Sequence, residues 1–162
     1  MAFLGMAECN AKGDVNVSKF KDRIAGCGGF INITQNTHKV VFCGTFTAKG
    51  LREEIRDGKL VITHEGAVQK FIDKVGQITF SAEYAHKHNQ QVMFITERCV
   101  FVLTDKGLVL MEIAPGVDLQ KDILDQMEFV PHIAENLKTM DERLFRDEPM
   151  GLAQDIFEQQ AG

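Results

Sequence analysis

The sequence AGCGGFIN at residues 25–32 places three glycines within four residues, directly before an apolar segment. Glycine tolerates a positive φ and lets another backbone or a ligand approach closely. A short helix is predicted at residues 30–36, and the free N–H groups at its start would suit a phosphate, a carboxylate or an oxyanion. The run KVVFCGTF at residues 39–46 then has the nearly continuous apolar character of a strand covered on both faces.

The rest of the chain predicts a substantial sheet, so that the order of elements indicates a mixed α/β fold. The segments predicted to be extended are residues 2–7, 14–17, 39–46, 60–63, 70–80, 91–98, 99–104 and 108–114. The turn signals at residues 11–13 and 57–59 predict two hairpins. Asp118 is a suitable N-cap for a helix at residues 119–128. The charged and apolar pattern of residues 131–162 predicts a helical tail after a first domain at residues 1–130.

Length and composition are those of one ordinary globular domain, with 162 residues, 44% hydrophobic and 25% charged. The net charge of −5 argues against nucleic acid as a partner, because phosphate backbones attract basic patches. No apolar run approaches the roughly 20 residues that span a bilayer, so no membrane partner is expected. The four cysteines are widely spaced, which is typical of reduced thiols, and we expect a cytoplasmic location.

Single residues give no complete catalytic constellation. Cys27 is a candidate nucleophile, since a helix N-terminus would lower its thiol pKa, but no histidine is marked as its base and packing is favoured. His86 and His88 would share a face only on a strand, and their polar setting favours exposed histidines over a metal pair. Glu97 beside Arg98 predicts an ion pair in the sheet. No catalytic and no metal-binding residue is therefore assigned.

Six segments, taken in order, resemble the C-terminal part of the β-half of acyl-CoA:carboxylate CoA-transferases of the acetate, propionate and 3-oxoacid type. They are GDVNVSKF at residues 13–20, GCGGFIN at 26–32, KVVF at 39–42, ITFSAEY at 78–84, ITERCVF at 95–101 and EIAPGVD at 112–118. The resemblance extends over residues 2–130 in the correct order, which makes it far more specific than a glycine cluster alone.

The resemblance implies a CoA-transferase-like mixed sheet with flanking helices, truncated at its N-terminal side. In this family a glutamate attacks an acyl-CoA thioester, and a glutamyl-CoA thioester then passes CoA to a short-chain carboxylate. Coenzyme A or acyl-CoA is thus implied as a substrate, and no permanently bound cofactor. The family's Glu-x-Gly-x-x-Gly-Gly segment, which holds that glutamate, is not in this sequence. Gly26, Gly28 and Gly29 match the family's loop near the active site and are the predicted cofactor-binding residues.

Three functions follow from these residues. The first is part of a CoA-transferase, inactive alone and active in a homo-oligomer or in complex with the N-terminal or α-type portion that bears the glutamate. The second is a non-catalytic module that self-associates or binds a partner, since an apolar first strand would need cover. The third is a nucleotide-phosphate binder that uses residues 26–29, although Ile31 stands where a dinucleotide fingerprint needs its last glycine.

Overall fold

A computed structural model describes residues 1–160 of the chain, with side chains through residue 157. The strands are, in chain order, β1 Ala2–Gly5, β2 Glu8–Cys9, β3 Val15–Asn16, β4 Lys19–Phe20, β5 Arg23–Ile24, β6 Lys39–Cys43, β7 Thr47–Ala48, β8 Arg52–Arg56, β9 Lys59–His64, β10 Val68–Gln69, β11 Gln91–Ile95, β12 Cys99–Thr104, β13 Gly107–Ile113 and β14 His132–Thr139. The α-helices are α1 Phe30–Gln35, α2 Ala82–Lys87 and α3 Leu152–Gln160.

A six-stranded sheet in the order β1-β6-β11-β12-β13-β14 forms the centre of the fold. β1, β6 and β11 are parallel, β12 pairs antiparallel with both β11 and β13, and β14 is parallel to β13. β8 and β9 form the predicted hairpin, which turns at Asp57 and Gly58 with φ of +52° and +71°. The predicted mixed α/β architecture is confirmed.

The larger core lies on one face of this sheet. The register aligns a row of apolar side chains across four strands: Leu4, Phe42, Phe94 and Phe101. Phe42 is fully buried, and its ring centroid lies 5.1 Å from that of Phe80 and 5.8 Å from that of Phe30. Helix α1 is thus fixed to the sheet through its first residue, Phe30, which directly follows the glycines.

A smaller core lies on the opposite face, where the register aligns Phe3, Val41 and Met93. Met93 packs against a second buried cluster made of Leu60, Val100, Ala114, Met140 and Phe145. The β8–β9 hairpin and the segment that follows β14 therefore cover this face at its β11–β13 side. Phe3, at the far edge, is 66% exposed.

Two predictions of extended structure are wrong in part. Residues 2–7 do not pair with residues 14–17 as one hairpin, because Ala2–Gly5 pairs with β6, and only Glu8–Cys9 pairs with Val15–Asn16. Residues 70–80 contribute isolated bridges at Phe71 and Phe80, and not a strand. Both phenylalanines are buried, whereas the polar residues between them are mostly exposed, so the segment is fixed at its ends.

The structure also differs from the predicted helix at residues 119–128 and from the predicted helical tail at residues 131–162. Asp118 caps as predicted, but it precedes a π-helical turn at Leu119–Ile123 and a 3₁₀ turn at Leu124–Gln126. His132–Thr139 is a strand, because it completes the main sheet beside β13. A 3₁₀ turn at Glu142–Phe145 and helix α3 are the helical parts of the tail, whose residues 161–162 lie outside the described residues. No helix among the described residues is long and apolar enough to cross a membrane.

Candidate functional site

Residues 26–29, here called the glycine loop, present their backbone to open space. Gly26 and Gly28 have φ of +81° and +51°, which glycine adopts without the strain that a side chain would cause. A Cβ added to either residue would meet no atom within 4 Å among the described residues. Gly29 is the N-cap of α1 and caps it without a side-chain hydrogen bond. The loop is therefore an exposed strip of main chain that a ligand could approach closely.

A network of buried polar groups fixes the start of the glycine loop. The carbonyl of Ser18 accepts hydrogen bonds from the N–H groups of Ala25 (2.8 Å) and Gly26 (3.1 Å). The hydroxyl of Ser18 lies 2.8 Å from the hydroxyl of Thr79. The backbone N–H of Ser18 donates to Oδ1 of the fully buried Asn16 at 3.0 Å. The loop backbone is thus fixed to a satisfied buried network rather than to a flexible surface segment.

Cys27 is half-buried and packs against the larger core. Its carbonyl accepts a hydrogen bond from the N–H of Phe30 at 3.0 Å, which closes the turn into α1. These contacts are those of a packing residue, the role that the sequence favoured.

Arg98 is the centre of a second feature, the Arg98 cluster, which comprises Thr47, Glu65, Glu97 and Arg98. The Arg98 side chain is fully buried. Its two terminal nitrogens donate to the two Glu65 oxygens at 2.7 and 2.8 Å, and its Nε donates to Glu97 at 2.9 Å. Bidentate geometry of this kind gives the strongest carboxylate recognition. The Glu97–Arg98 ion pair was predicted, whereas the Glu65 partner, 33 residues away in sequence, was not.

The Arg98 cluster joins four segments of chain. Arg98 also donates to the carbonyl of Asp122 at 2.8 Å, and its guanidinium lies 5.0 Å from the centroid of the Phe46 ring. Glu97 accepts from the N–H of Phe46 at 2.9 Å, while the Thr47 hydroxyl donates to Glu65. The loops that follow β6, β9 and β11 and the turn after β13 are therefore held at one point.

Burial and neighbouring charges shift the pKa values of Arg98, Glu65 and Lys70. Burial acts to lower the pKa of Arg98, but its bonds and attraction to Glu65 and Glu97 raise it overall. Burial acts to raise the pKa of Glu65, and the hydrogen bonds from Arg98 and Thr47 outweigh it, so that this pKa is lowered. Burial lowers the pKa of the Lys70 ammonium, whose Nζ donates to the carbonyl of Thr45 at 2.8 Å. Glu65 thus remains ionised at neutral pH as the partner of Arg98.

Both features lie toward the carboxyl ends of the parallel strands. Glu97 and Arg98 directly follow β11, and the N–H of Gly44, just after β6, donates to Ile95 at 3.2 Å. Helix α1 ends near the amino end of β6, so its first turn and the glycine loop lie toward the carboxyl end of that strand. Open α/β sheets bind their ligands at the carboxyl ends of their strands.

Among the cavities beside helix α2, two differ in their surroundings. A groove of about 230 Å³ runs between α1 and α2 and is lined by Ile31, Thr34, Ile78, Phe80 and Tyr84, among others. A wider cavity of about 650 Å³ lies beside the turns at residues 11–13 and 105–107, far from the carboxyl ends of β6 and β11, with a lining of mixed charge. The groove of about 230 Å³ adjoins α1, the helix that directly follows the glycine loop.

The described residues contain no group of three histidine, cysteine, aspartate or glutamate side chains that could hold a metal ion. His86 lies in α2 and His88 caps it, and both are exposed. The His88 ring stacks on Tyr84 with centroids 3.9 Å apart, and its Nδ1 lies 2.8 Å from the Tyr84 carbonyl. His88 and Tyr84 therefore pack against each other on the surface of α2.

Comparison with known proteins gives close relatives over almost the whole chain. No protein-family model matches. A caffeate CoA-transferase from Acetobacterium woodii is 52% identical over 157 residues, which cover 94% of this chain and 30% of that protein. The acetate CoA-transferase YdiF from Escherichia coli is 54% identical over 151 residues, which cover 93% of this chain and 28% of YdiF.

The crystal structure of Escherichia coli YdiF superimposes on this chain with a TM-score of 0.90 at 54% identity, covering 92% of this chain and 29% of YdiF. YdiF has also been solved as a thioester complex with CoA. This chain spans about three tenths of the length of the curated relatives that it matches. Since at least 93% of the chain is aligned with each, the glycine loop lies within the matched region.

Proposed function

We propose, since the chain matches about three tenths of two CoA-transferases in sequence and of one in fold, that it forms part of an enzyme that moves CoA from an acyl-CoA to a free carboxylic acid. The observation that supports this most is the open glycine loop at the carboxyl edge of the main sheet, in a chain that is 54% identical to the matching part of YdiF. Two relatives of nearly equal identity are named for caffeate and acetate, and a carboxylate is the group that these acceptors share.

The proposed reaction uses a glutamate outside this chain. Its carboxylate attacks the carbonyl carbon of the acyl-CoA, and a negative charge develops on the thioester oxygen before the CoA thiolate leaves. The thiolate then attacks the resulting glutamyl anhydride, which releases the first acid and leaves a glutamyl-CoA thioester. The acceptor carboxylate takes CoA by the reverse of these steps. This chain does not supply the nucleophile and contributes the surface along which the thioester lies.

Gly26, Gly28 and Gly29 are the residues that we assign to that surface. The N–H groups of Gly28 and Gly29 donate to no acceptor in the described part of the chain. Main-chain donors that are fixed before the reaction stabilise a developing oxyanion without reorganisation. The Ser18 network fixes the start of the loop, and Phe30, packed on Phe42, fixes its end.

Gly28→Ala tests this assignment. The variant would be made in a chimera in which this chain replaces the matching segment of YdiF. The added methyl group enters space that is empty in the isolated fold but lies where the thioester would pass. We expect kcat/KM for CoA transfer to fall at least about tenfold, the equivalent of roughly 1.4 kcal/mol of transition-state binding.

Gly151→Ala is the matched control. Gly151 also has a positive φ, at +70°, and lies in the tail before α3, so that the variant bears the same kind of backbone strain away from the loop. We expect its kcat/KM to stay within about twofold of the unmodified chimera. Equal kcat/KM values for the Gly28→Ala and Gly151→Ala chimeras would show that the glycine loop is not part of the active site.

A further inference from the structure

Asn16 is a fully buried polar residue to which the proposed reaction assigns no part. Its Oδ1 accepts hydrogen bonds from the N–H groups of Ser18 at 3.0 Å and Lys19 at 3.2 Å. Its Nδ2 donates to the carbonyl of Lys19 and to Oε2 of Glu8, both at 2.6 Å. The side chain thus uses both of its acceptor positions and both of its donor positions, the full set that an asparagine offers.

The groups around Asn16 select an amide at this position. Two N–H donors face Oδ1, whereas a carbonyl and a carboxylate face Nδ2. A carboxylate in its place would have no donor for the carbonyl of Lys19 and for Glu8, and a hydroxyl would have one. Rotation of the amide by half a turn would set donor against donor and acceptor against acceptor. The contacts therefore fix both the identity of Asn16 and its orientation.

The turn that Asn16 closes holds the carbonyl on which the glycine loop hangs. The carbonyl of Ser18, whose own N–H is bound by Asn16, accepts from the N–H groups of Ala25 at 2.8 Å and Gly26 at 3.1 Å. The β4–β5 hairpin connects this turn to the loop along the chain. Because the Asn16 side chain is fully buried, it reaches a ligand through the loop and not by contact.

We propose that Asn16 is a positioning residue that holds the glycine loop where its N–H groups meet the developing oxyanion. The inference rests on the proposed function, which assigns those N–H groups to the thioester. Donors fixed in advance stabilise a transition state only while their backbone is held in place, and a displacement of about 1 Å can cost on the order of 100-fold in rate. Loss of the Asn16 side chain should therefore slow the chemical step and leave the binding of acyl-CoA nearly unchanged.

Asn16→Ala in the YdiF chimera tests the proposal through the two kinetic constants. We expect kcat for CoA transfer to fall at least about tenfold, while KM for acetyl-CoA stays within about threefold, because the lost stabilisation belongs to the transition state. A variant with unchanged kcat, or one with a raised KM alone, would overturn the proposal.

Asn10→Ala is the matched control. The Asn10 side chain also closes a turn, since its Oδ1 accepts from the N–H groups of Lys12 and Asp14 and its Nδ2 donates to the carboxylate of Asp14. That turn contacts another part of the fold, where the carbonyl of Ala11 accepts from the N–H of Leu108 at 3.1 Å. We expect kcat of this variant to stay within about twofold of the unmodified chimera.

The double variant Asn16→Ala, Gly28→Ala shows whether Asn16 acts through the glycine loop. Residues that act as a unit give losses that do not add. We expect Asn16→Ala to lower kcat by less than about threefold when Gly28→Ala is already present. A loss as large in that background as in the unmodified chimera would overturn the proposal, because Asn16 would then affect the rate independently of the loop.

Amide hydrogen exchange in this chain tests the same link without any need for activity. Asn16→Ser is the milder variant, since its hydroxyl still accepts one of the two N–H bonds. We expect the amides of Ala25 and Gly26 to exchange at least about tenfold faster than in the unmodified chain or in Asn10→Ser, while those of β6 and β11 keep their rates.

The pattern of exchange separates the possible failures. Unchanged exchange at Ala25 and Gly26 would overturn the proposal. An equal acceleration that includes β6 and β11 would overturn it too, because it would show a general loss of stability. Faster exchange confined to Ala25 and Gly26, together with an unmodified chimera that is folded but inactive, would support Asn16 as the anchor of the loop and overturn the proposed function alone.

Discussion

Arg98→Met is expected to lower the free energy of unfolding by about 3–5 kcal/mol, the range for removing one partner of a buried ion pair. The side chain of Arg98 is fully buried, and those of Glu65 and Glu97 are 31% and 13% exposed. Methionine preserves much of the volume but leaves two carboxylates without their cation. Urea unfolding, followed by circular dichroism, gives this difference directly.

Arg56→Met is the control, because Arg56 pairs with Glu54 at the surface, where its side chain is 65% exposed. We expect a change within about 0.5 kcal/mol, as for other surface ion pairs. The triple variant Arg98→Met, Glu65→Gln, Glu97→Gln should recover part of the loss, because no unpaired charge then remains. A loss below about 1 kcal/mol in Arg98→Met would show that the cluster does not stabilise the fold.

The pH dependence of stability gives a second readout for Arg98→Met. The pKa of Glu65 is lowered in the folded state from its ordinary 4.5. A carboxyl group with a depressed folded pKa adds stability above its unfolded pKa, and loses it as the pH falls through the folded value. Below about pH 4.5 the native chain should therefore lose stability more steeply than Arg98→Met, which lacks the main cause of the shift.

Phe42→Ala is expected to cost about 3–5 kcal/mol, the usual penalty for a large aromatic deleted from a core. Phe42 is fully buried, with ring centroids 5.1 to 5.8 Å from those of Phe30, Phe80 and Phe94. The cavity would also remove the main support of Phe30 and hence of α1. Unfolding in urea measures the loss, and exchange of the amides of α1 reports whether the glycine loop loosens with it.

Phe157→Ala is the matched control for Phe42→Ala, since Phe157 is 70% exposed. We expect it to change stability by no more than about 0.5 kcal/mol. If the two alanine variants unfolded at the same urea concentration, the aromatic row would not be the centre of the core.

The sequence was informative where the composition of a segment by itself determines its structure. The apolar runs predicted β6, β11, β12 and β13, because a strand covered on both faces needs little beyond continuous hydrophobicity. Helix α1 was predicted at residues 30–36 and observed at Phe30–Gln35. The bend before it was predicted from glycine, and Gly26 and Gly28 do adopt a positive φ.

Features that depend on distant partners were not predictable in the same way. β14 looked helical because its more buried residues, Ala134 and Leu137, are three apart. This spacing arises because the pairing of β13 with β14 is irregular. Between two paired positions β13 advances two residues, from Leu110 to Glu112, whereas β14 advances five, from Ile133 to Lys138. The Glu65 partner of Arg98 was missed because only the tertiary fold brings Glu65 to Arg98.

The assay that tests the central claim most directly measures transfer of CoA from acetyl-CoA to propionate. The chimera of YdiF with this chain should catalyse transfer at a rate within about tenfold of YdiF, because the matched region shares 54% of its residues and its fold. This chain alone should give no transfer above the uncatalysed rate. A folded but inactive chimera would contradict the CoA-transferase assignment, and turnover by this chain alone would contradict a nucleophile outside it.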